Sequence, residues 1–372
     1  MANRSVILKQ TAIVFTIMVA VAMLVSAYGG YYNPGRRFGS LFMLAAMAMP
    51  VAAAVTLLTA LPWLFKRRWL MAAVPLVALL LSWPSLRTVV PLHLFTPSTH
   101  NVERDDNTFK ILTFNVMNFG PYDPSNHRPN ESMKYILESD ADVVLLQEGS
   151  QERDYMKLSN TKMLTGELAK KYPYRSSRNH DLIILSKYPY EAKTVVGSDA
   201  NSPVSGRVTS YVVHHPGRDL LLVNAHLRSI GLSENDKDEY ARMTRGDVQG
   251  KSDLKKMKRG MIDKVVASSV TRYEECETLR RLLDENRDKD VIVAGDFNET
   301  PASYCYWTVR GTDMNDAWGD AGFGYYNTFN DRRLLFKIDH ILYRGSLSAE
   351  AATVDKTGES DHYPFSVVFR LK

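Results

Sequence analysis

The chain has 372 residues and a net charge of +5. That length holds one large domain and an additional region, and so small a charge excess does not by itself mark a nucleic-acid partner. The two cysteines, Cys276 and Cys305, form no Cys-x-x-Cys pattern, which excludes a thiolate zinc site and a disulfide framework; a single bridge stays open, although Cys276 sits at a helical core spacing and reads as a small buried apolar residue.

Apolar residues crowd the first hundred positions. Three segments, at about 11–28, 41–65 and 69–95, lack Asp, Glu and Lys across their centres, and each is long enough to span roughly 30 Å of hydrocarbon as a helix. Pro75, Pro84, Arg87 and Pro91 interrupt the third, so it ends near Ser82 or kinks. The first also has the form of a cleaved signal peptide, with Lys9 before it and the small Ala27 at its end, but its length and the segments that follow favour a retained span. Arg4 and Lys9 precede the first segment, and Lys66, Arg67 and Arg68 separate the second from the third. The positive-inside rule puts both groups on the cytoplasmic side, against the vote of Arg36 and Arg37. Three spans then place the rest of the chain outside the cytoplasm, in a multi-pass arrangement, and loss of the third reverses that side. Trp63, Trp69, Trp83, Tyr28, Tyr31 and Tyr32 near the segment ends suit an interfacial belt. No charged pair lies within a span, so the region reads as an anchor. The expected organisation is an anchor over 1–96, a polar linker over 97–108 and a domain over 109–372.

In that domain, residues 109–116 alternate and read as a strand with Asn115 near its end. Residues 131–137 have helical character. Residues 142–148 form a continuous apolar run, a strand buried on both faces, that ends in Gln147 and Glu148; a carboxylate at such a tip suits a hard cation. Residues 181–189 form another strand and turn. Residues 208–213 and 219–224 form a hairpin around His215-Pro216-Gly217-Arg218, preceded by Arg207, which forks onto a phosphate or forms a surface ion pair. Asn224 and His226, two residues apart, share one side of their strand. Residues 231–251 are polar without clear period and read as a long loop. A helix or helix pair follows, with Leu254, Met261, Val265, Cys276, Leu279 and Leu283 on one face. Its Lys255, Lys256 and Arg259 lie off that face, as a solvated surface or a patch for anionic lipid or substrate. Residues 291–301 run apolar and β-branched, break at Gly295, and present Asp296 and Asn298 together. The aromatic-rich residues 304–329 read as a loop that lines a cleft or packs on itself. Residues 336–343 form a strand carrying Asp339, and Ser360-Asp361-His362 stands before a final strand.

Strand ends therefore offer Asn115, Glu148, Asn224 with His226, Asp296 with Asn298, and Asp339 with Asp361 and His362. Oxygen ligands without thiolates suit Mg²⁺ or Mn²⁺. A His beside a carboxylate is an oriented acid or base, and Asn and His donors hold phosphoryl oxygens as charge develops. The Gly-x-x-x-x-Gly-Lys-Ser/Thr pattern of a P-loop is absent. The set points to metal-assisted hydrolysis of a phosphate ester, with water attacking phosphorus.

The segments LTFNV, VVLLQE, VNAHL, VAGDFNETP, KIDHIL and ESDHYPFSV occur in the order seen in the endonuclease/exonuclease/phosphatase superfamily. Residues 109–371 therefore resemble DNase I, the abasic-site endonucleases, the inositol polyphosphate 5-phosphatases and the neutral sphingomyelinases. The resemblance implies an α/β (α+β) fold, a four-layer α/β/β/α sandwich of two packed mixed sheets with the site between them. It implies that Glu148 is the principal metal ligand, with Asn115 beside it and Asp361 nearby. Asp296 would orient or deprotonate the water, Asn298 would bind the phosphate and His226 would contact it. His362, oriented by Asp339, would stabilise the transition state or act as base, while Asn224 and Arg207 would bind substrate. The polar stretch from Gly231 and the aromatic stretch after Pro301 match no particular subfamily, and the soluble nucleases lack the anchor. The expectation is a membrane-anchored phosphoric ester hydrolase acting on a lipid headgroup, nucleotide or nucleic acid, with the bilayer as its other partner and no protein partner identified. The alternative is a non-catalytic, membrane-tethered binding module that keeps the fold; the intact Glu148, Asp296 and His362 speak against it.

Overall fold

A computed structural model describes residues 2–120, 130–149, 161–176, 181–195, 206–247, 251–332, 334–357 and 359–372. The chain begins with helices α1 (Ala2–Tyr28), α2 (Gly39–Met47), α3 (Met49–Phe65), α4 (Trp69–Leu81) and α5 (Trp83–Leu86). Among the described residues, α1 is the one helix long and apolar enough to cross a membrane; α2 and α3 add a second only if they are taken as one span bent by 65°. The expected three spans are corrected accordingly. The third stays helical for 13 residues in α4. At 1.5 Å per residue that is about 20 Å, short of the hydrocarbon thickness.

Helices α1, α3 and α4 pack on one another with their ends sorted. At one end, Met23 and Ala27 of α1 and Met49 of α3 share a core with Val89 and with Cys276 and Leu279 of the following domain. There Tyr28 donates to Leu81 O (2.5 Å) and Ser85 Oγ to Ala27 O (2.7 Å). At the other end Trp63 Nε1 donates to Thr16 Oγ1 (2.8 Å), and Lys9 borders the same cavity as Lys66. Thus α3 and α4 form a hairpin that leaves the domain and returns to it. Within the linker, Thr99 packs on the domain, where its N donates to Thr353 Oγ1 and its Oγ1 lies 2.8 Å from Ser366 Oγ.

The domain then runs β1 (Thr108–Asn115), α6 (Glu131–Glu138), β2 (Val143–Gln147), α7 (Thr161–Lys171), β3 (Tyr174–Arg175), β4 (Ile183–Ser186), β5 (Tyr190–Val195), β6 (Val208–His215) and β7 (Arg218–His226). It continues through α8 (Glu234–Arg245), α9 (Lys251–Asp284), β8 (Val291–Asp296), α10 (Tyr304–Arg310), β9 (Asn315–Asp316) and α11 (Ala317–Ala321). It ends with β10 (Phe329–Asp331), β11 (Leu334–Phe336), β12 (Asp339–Arg344), β13 (Leu347–Val354) and β14 (Phe365–Leu371).

Two six-stranded mixed sheets form, in the orders β13-β14-β1-β2-β4-β3 and β5-β6-β7-β8-β12-β9. Each holds one parallel pair, β1/β2 or β7/β8. Strand alternation assigns the layers. Ile111, Leu145, Leu222, Ile292, Phe365 and Val367 meet between the sheets. Leu112, Val144 and Leu146 face α6 and α7 with Met133, Ile136 and Leu168. Leu221, Val223 and Val293 face α9 and α10 with Leu279 and Tyr306. This is the expected four-layer sandwich.

Several local expectations change. Residues 231–251 are not a continuous loop: Ser233 and Asp236 form a capping box that starts α8, and Gly246 ends it in the left-handed region. The aromatic stretch contains α10 and α11 rather than a loop. Strand β8 does not break at Gly295 but runs through it to Asp296. Glycine is required there because its φ is +145° and a Cβ would sit 1.9 Å from Ala225 O of β7. Cys276 and Cys305 form a disulfide between α9 and α10. Periodicity correctly puts Cys276 on the apolar face of α9, but only the docking of α10 brings Cys305 to the same place. That docking also fastens the N-terminal helices: Tyr31 stacks on Trp307 at 4.7 Å, and a Cβ on Gly30 would lie 1.6 Å from Ala302 O.

Candidate active site

Sheet register builds the site. Asp296 ends β8; parallel β7 puts His226 on its rung, and antiparallel β12 puts Asp339 there. Neighbours on one rung project from the same face. In the other sheet Asn115 and Gln147 share a rung of β1 and β2, and Glu148 follows. Glu148 and Asn298 hold φ of +53° and +51°, a left-handed conformation that non-glycine residues rarely adopt and that concentrates at functional sites.

The two sheets meet through one amide. Asn115 Nδ2 donates to Glu148 Oε1 (3.0 Å) and to Asp296 Oδ2 (3.2 Å). Asp296 Oδ1 accepts from Asn298 N (2.8 Å), and Asn298 Nδ2 donates to Asp296 Oδ2 (3.2 Å) and Leu227 O (2.9 Å). Two His–Asp pairs flank this carboxylate. His362 Nδ1 donates to Asp339 Oδ2 (2.9 Å), and its Nε2 lies 3.6 Å from Asp296 Oδ2. His226 Nδ1 donates to Asp181 Oδ2 (2.5 Å), and its Nε2 lies 3.8 Å from both Asp296 Oδ2 and Glu148 Oε1. Ser360 Oγ donates to Asn115 O (2.7 Å) and accepts from His362 N (3.0 Å), which fixes the Asp361-His362 turn to the end of β1.

Burial, reinforced by the charge of Asp339, raises Asp296 to about 6 against the pull of the two histidines. Burial would lower His362, but Asp339 and Asp296 outweigh it and raise the imidazole to about 10. The same contest raises His226: burial opposes, and the Asp181 hydrogen bond with Asp296 and Glu148 prevails. Asp339 is held below its usual range, since His362 overcomes the effect of burial. Burial also raises Asp361, with help from the charge of Glu148.

Asp296, Asp339 and His362 bring possible ligand atoms within 4.8 Å of one another, yet His362 and Asp339 are already bonded to each other. The Glu148 side fits a hard divalent cation better. Glu148 and Asp361 offer carboxylate oxygens, and the repulsion between them is negative charge that a cation relieves, whereas Asn115 turns its Nδ2 to Glu148 and keeps its Oδ1 on Met117 N.

The structure thus gathers Asn115, Glu148, His226, Asp296, Asn298, Asp339, Asp361 and His362 at one place. Two expected substrate-binding residues do not join them. Asn224 is fully buried; its Oδ1 accepts from Gln147 Nε2 (2.7 Å), and its Nδ2 donates to Leu146 O and Ile183 O. It shares a face with His226 but lies one rung pair deeper, so it ties the sheets together instead of meeting a ligand. Arg207 pairs with Glu275 of α9 (3.5 Å) and meets the site through its backbone, where its carbonyl accepts from His226 N. Sequence reasoning missed Asp181, which no spacing connects to His226. It also missed Lys237 of α8, which bonds Asp331 at 2.6 Å and acts on the charge of Asp361; Ser233-x-x-Asp236 with Gly246 was the available signal for that helix.

Residues 112–362 match the Endonuclease/Exonuclease/phosphatase family, and residues 9–89 match a domain of unknown function, DUF8431. Comparison with curated proteins finds no match. Similar solved structures include the endonuclease/exonuclease/phosphatase from Beutenbergia cavernae DSM 12333, at 16% identity and a TM-score of 0.46, over 71% of this chain and 72% of that one. The endonuclease/exonuclease/phosphatase from Bacteroides vulgatus matches at 17% identity and a TM-score of 0.45, over 71% and 99%. Truncated Caenorhabditis elegans TDP2 matches at 14% identity and a TM-score of 0.42, over 71% and 98%.

Proposed function

The chain belongs to the endonuclease/exonuclease/phosphatase family, and we propose that it is a membrane-anchored, divalent-metal-dependent phosphoric ester hydrolase. The observation that carries this reading is the convergence on Asp296 of two carboxylate-oriented histidines and two amides. Asp296, ionised at neutral pH, accepts the proton of the attacking water. His362 stays an imidazolium at that pH and, with His226, donates to phosphoryl oxygens as negative charge develops. Asn298 is fixed by Leu227 O beside Asp296 and positions the phosphate. Glu148, with Asn115 and Asp361 alongside, would hold Mg²⁺ or Mn²⁺, which when bound would supply Lewis-acid neutralisation of the phosphoryl charge.

The reading also puts the domain outside the cytoplasm. The α3–α4 hairpin starts and ends on the domain side, so the side is set by α1 alone, whether or not the hairpin traverses the bilayer. With Lys9 in the cytoplasm, the domain lies across the membrane. The Cys276–Cys305 disulfide supports the same side, because such bonds persist in oxidising compartments. A site tethered there favours a lipid headgroup or an extracellular nucleotide over genomic DNA.

Full-length protein in detergent should hydrolyse bis-p-nitrophenyl phosphate with Mg²⁺ or Mn²⁺, and EDTA should stop it. Turnover should decline as pH falls through about 6, where Asp296 takes up its proton, and a bound cation should move that limb lower. Absence of turnover on phosphodiesters, phosphomonoesters and nucleic acid alike would overturn the proposal.

A further inference from the structure

The end of the helical bundle far from the active site carries a second feature that the hydrolase reading does not use. A cavity of about 630 Å³ lies there, bordered by Lys9 of α1, by Lys66, Arg67 and Arg68 of the α3–α4 turn, and by Trp69. A second cavity, of about 360 Å³, runs between α1 and α3 along Ala12, Phe15, Val55, Leu58 and Pro62. The two share Trp63 and Lys66 and so adjoin. Trp63 is a fixed wall between them: it is buried, and its ring N–H is held by Thr16.

The charges have no protein counterpart. The first acidic residue of the sequence is Glu103, and among the described residues no ion pair involves Lys9, Lys66, Arg67 or Arg68. A cationic loop alone is a topology signal. Here, however, four cations from two separate elements border one cavity, and an apolar groove leads out of it along the direction a hydrocarbon chain takes in a bilayer. The combination matches an amphiphile with a negative head and an apolar tail. Basic pockets between membrane helices select such headgroups by charge.

The geometry points to a binding site for an anionic phospholipid of the bilayer, with its phosphate among Lys9, Lys66, Arg67 and Arg68 and one acyl chain between α1 and α3. The site rests on the membrane-anchored reading but not on the hydrolytic one. Its occupant would wedge α1 against the α3–α4 hairpin at the end opposite Tyr31 and Trp307, and so stiffen the bundle on which the domain is mounted.

The test titrates full-length protein in nonionic detergent with dioleoyl phosphatidylglycerol, and in parallel with dioleoyl phosphatidylcholine and inorganic phosphate, and counts bound lipids by native mass spectrometry. Phosphatidylglycerol should bind at least about tenfold more tightly than phosphatidylcholine. Replacing Lys66, Arg67 and Arg68 together by Ser should remove the preference. Ala12→Phe, made at an exposed position of the groove, should weaken both lipids and leave their ratio unchanged. Equal binding of the two lipids, or a preference that survives the triple substitution, overturns the site. So does displacement of phosphatidylglycerol by millimolar phosphate, which would mark a phosphate pocket without a lipid. Carbonate extraction of membranes separates the two readings: released protein overturns the anchor itself, whereas retained protein without lipid preference overturns the lipid site alone.

Discussion

The N-terminal helices leave most of their large apolar side chains exposed, whereas the sandwich buries nearly all of its own. In the helices Ala60, Ala72, Ala78, Thr56 and Ser85 turn inward, while Leu58, Phe65, Leu70 and Leu80 face out. In the sandwich the large apolar residues fill three cores. Among the described residues, the exposed large apolar side chains past residue 96 are Tyr174, Ile262, Phe323, Tyr325 and Leu335. An apolar surface as continuous as that of the helices marks an interaction site or a membrane. Helices in hydrocarbon gain little by burying leucine, and they associate through small residues and interhelical hydrogen bonds such as Trp63 to Thr16. The two regions should therefore respond to different perturbations.

The largest expected effect is chemical and confined to the sandwich. Asp296→Asn should lower kcat about a thousandfold while the domain still folds with a modestly lower unfolding midpoint, because the amide nitrogen meets donors where the buried carboxylate accepted from Asn115 and Asn298. Steady-state kinetics beside denaturant unfolding would check this; simultaneous loss of fold would remove Asp296 from the chemistry.

Next in size is a structural change under the same site. Arg272 is buried on α9, donates to Glu299 Oε1 (2.7 Å) and to Arg228 O (2.7 Å), and so holds both segments that follow His226 and Asn298. Arg272→Met strands the buried Glu299 charge and should destabilise the domain by about 3–5 kcal/mol, read as a lower unfolding midpoint. If the helices anchor the protein in a membrane, as proposed, they should stay there. If they came out as well, the two regions would be one cooperative unit.

Acid should act on the sandwich with a smaller effect. His340 is fully buried, donates to Glu299 O (2.8 Å), and is lowered by burial from 6.5 to about 4. Between those values the unfolded chain binds the proton and the folded one does not, so stability is full above 6.5 and falls as pH drops toward 4. The loss amounts to about 3 kcal/mol. Unfolding midpoints of wild type and His340→Gln across that window would show a shallower slope in the variant. Identical slopes would assign the acid sensitivity to other groups.

The smallest effect is expected in the helices. Trp63→Phe removes the bond to Thr16 and should cost only about 0.6 kcal/mol in a bilayer, measured by reversible unfolding in mixed micelles. A loss comparable to that of Arg272→Met would mean that this bundle is held together as a soluble core is.

Legibility followed the range of the interaction. Residues that alternate along a strand, repeat along a helix or stay apolar for a membrane's thickness report their environment locally, so β1, β2, β4, β6, β7, β8, β12 and β14, the helical face of α9 and the apolar α1 could be read from spacing, whereas β3, β5, β9 and β13 were not. The polar positions Asn115, Glu148 and Asp296 were legible for the same reason, each standing where a buried run stops, while His362 stands just ahead of the buried run of β14. Three features were not legible, because nothing local encodes them. Asp181 meets His226, and Cys305 meets Cys276, only after separate elements dock. Asn224 and His226 carry the same alternation signal, yet depth within the packed sheets makes one a structural clamp and the other part of the site. The number of helices long enough to cross a membrane was overestimated because hydropathy counts apolar residues, not helical ones. What the tertiary structure decided instead was that α3 and α4 return to the domain side, because their ends are fixed by contacts with α1 and the domain that no local pattern encodes.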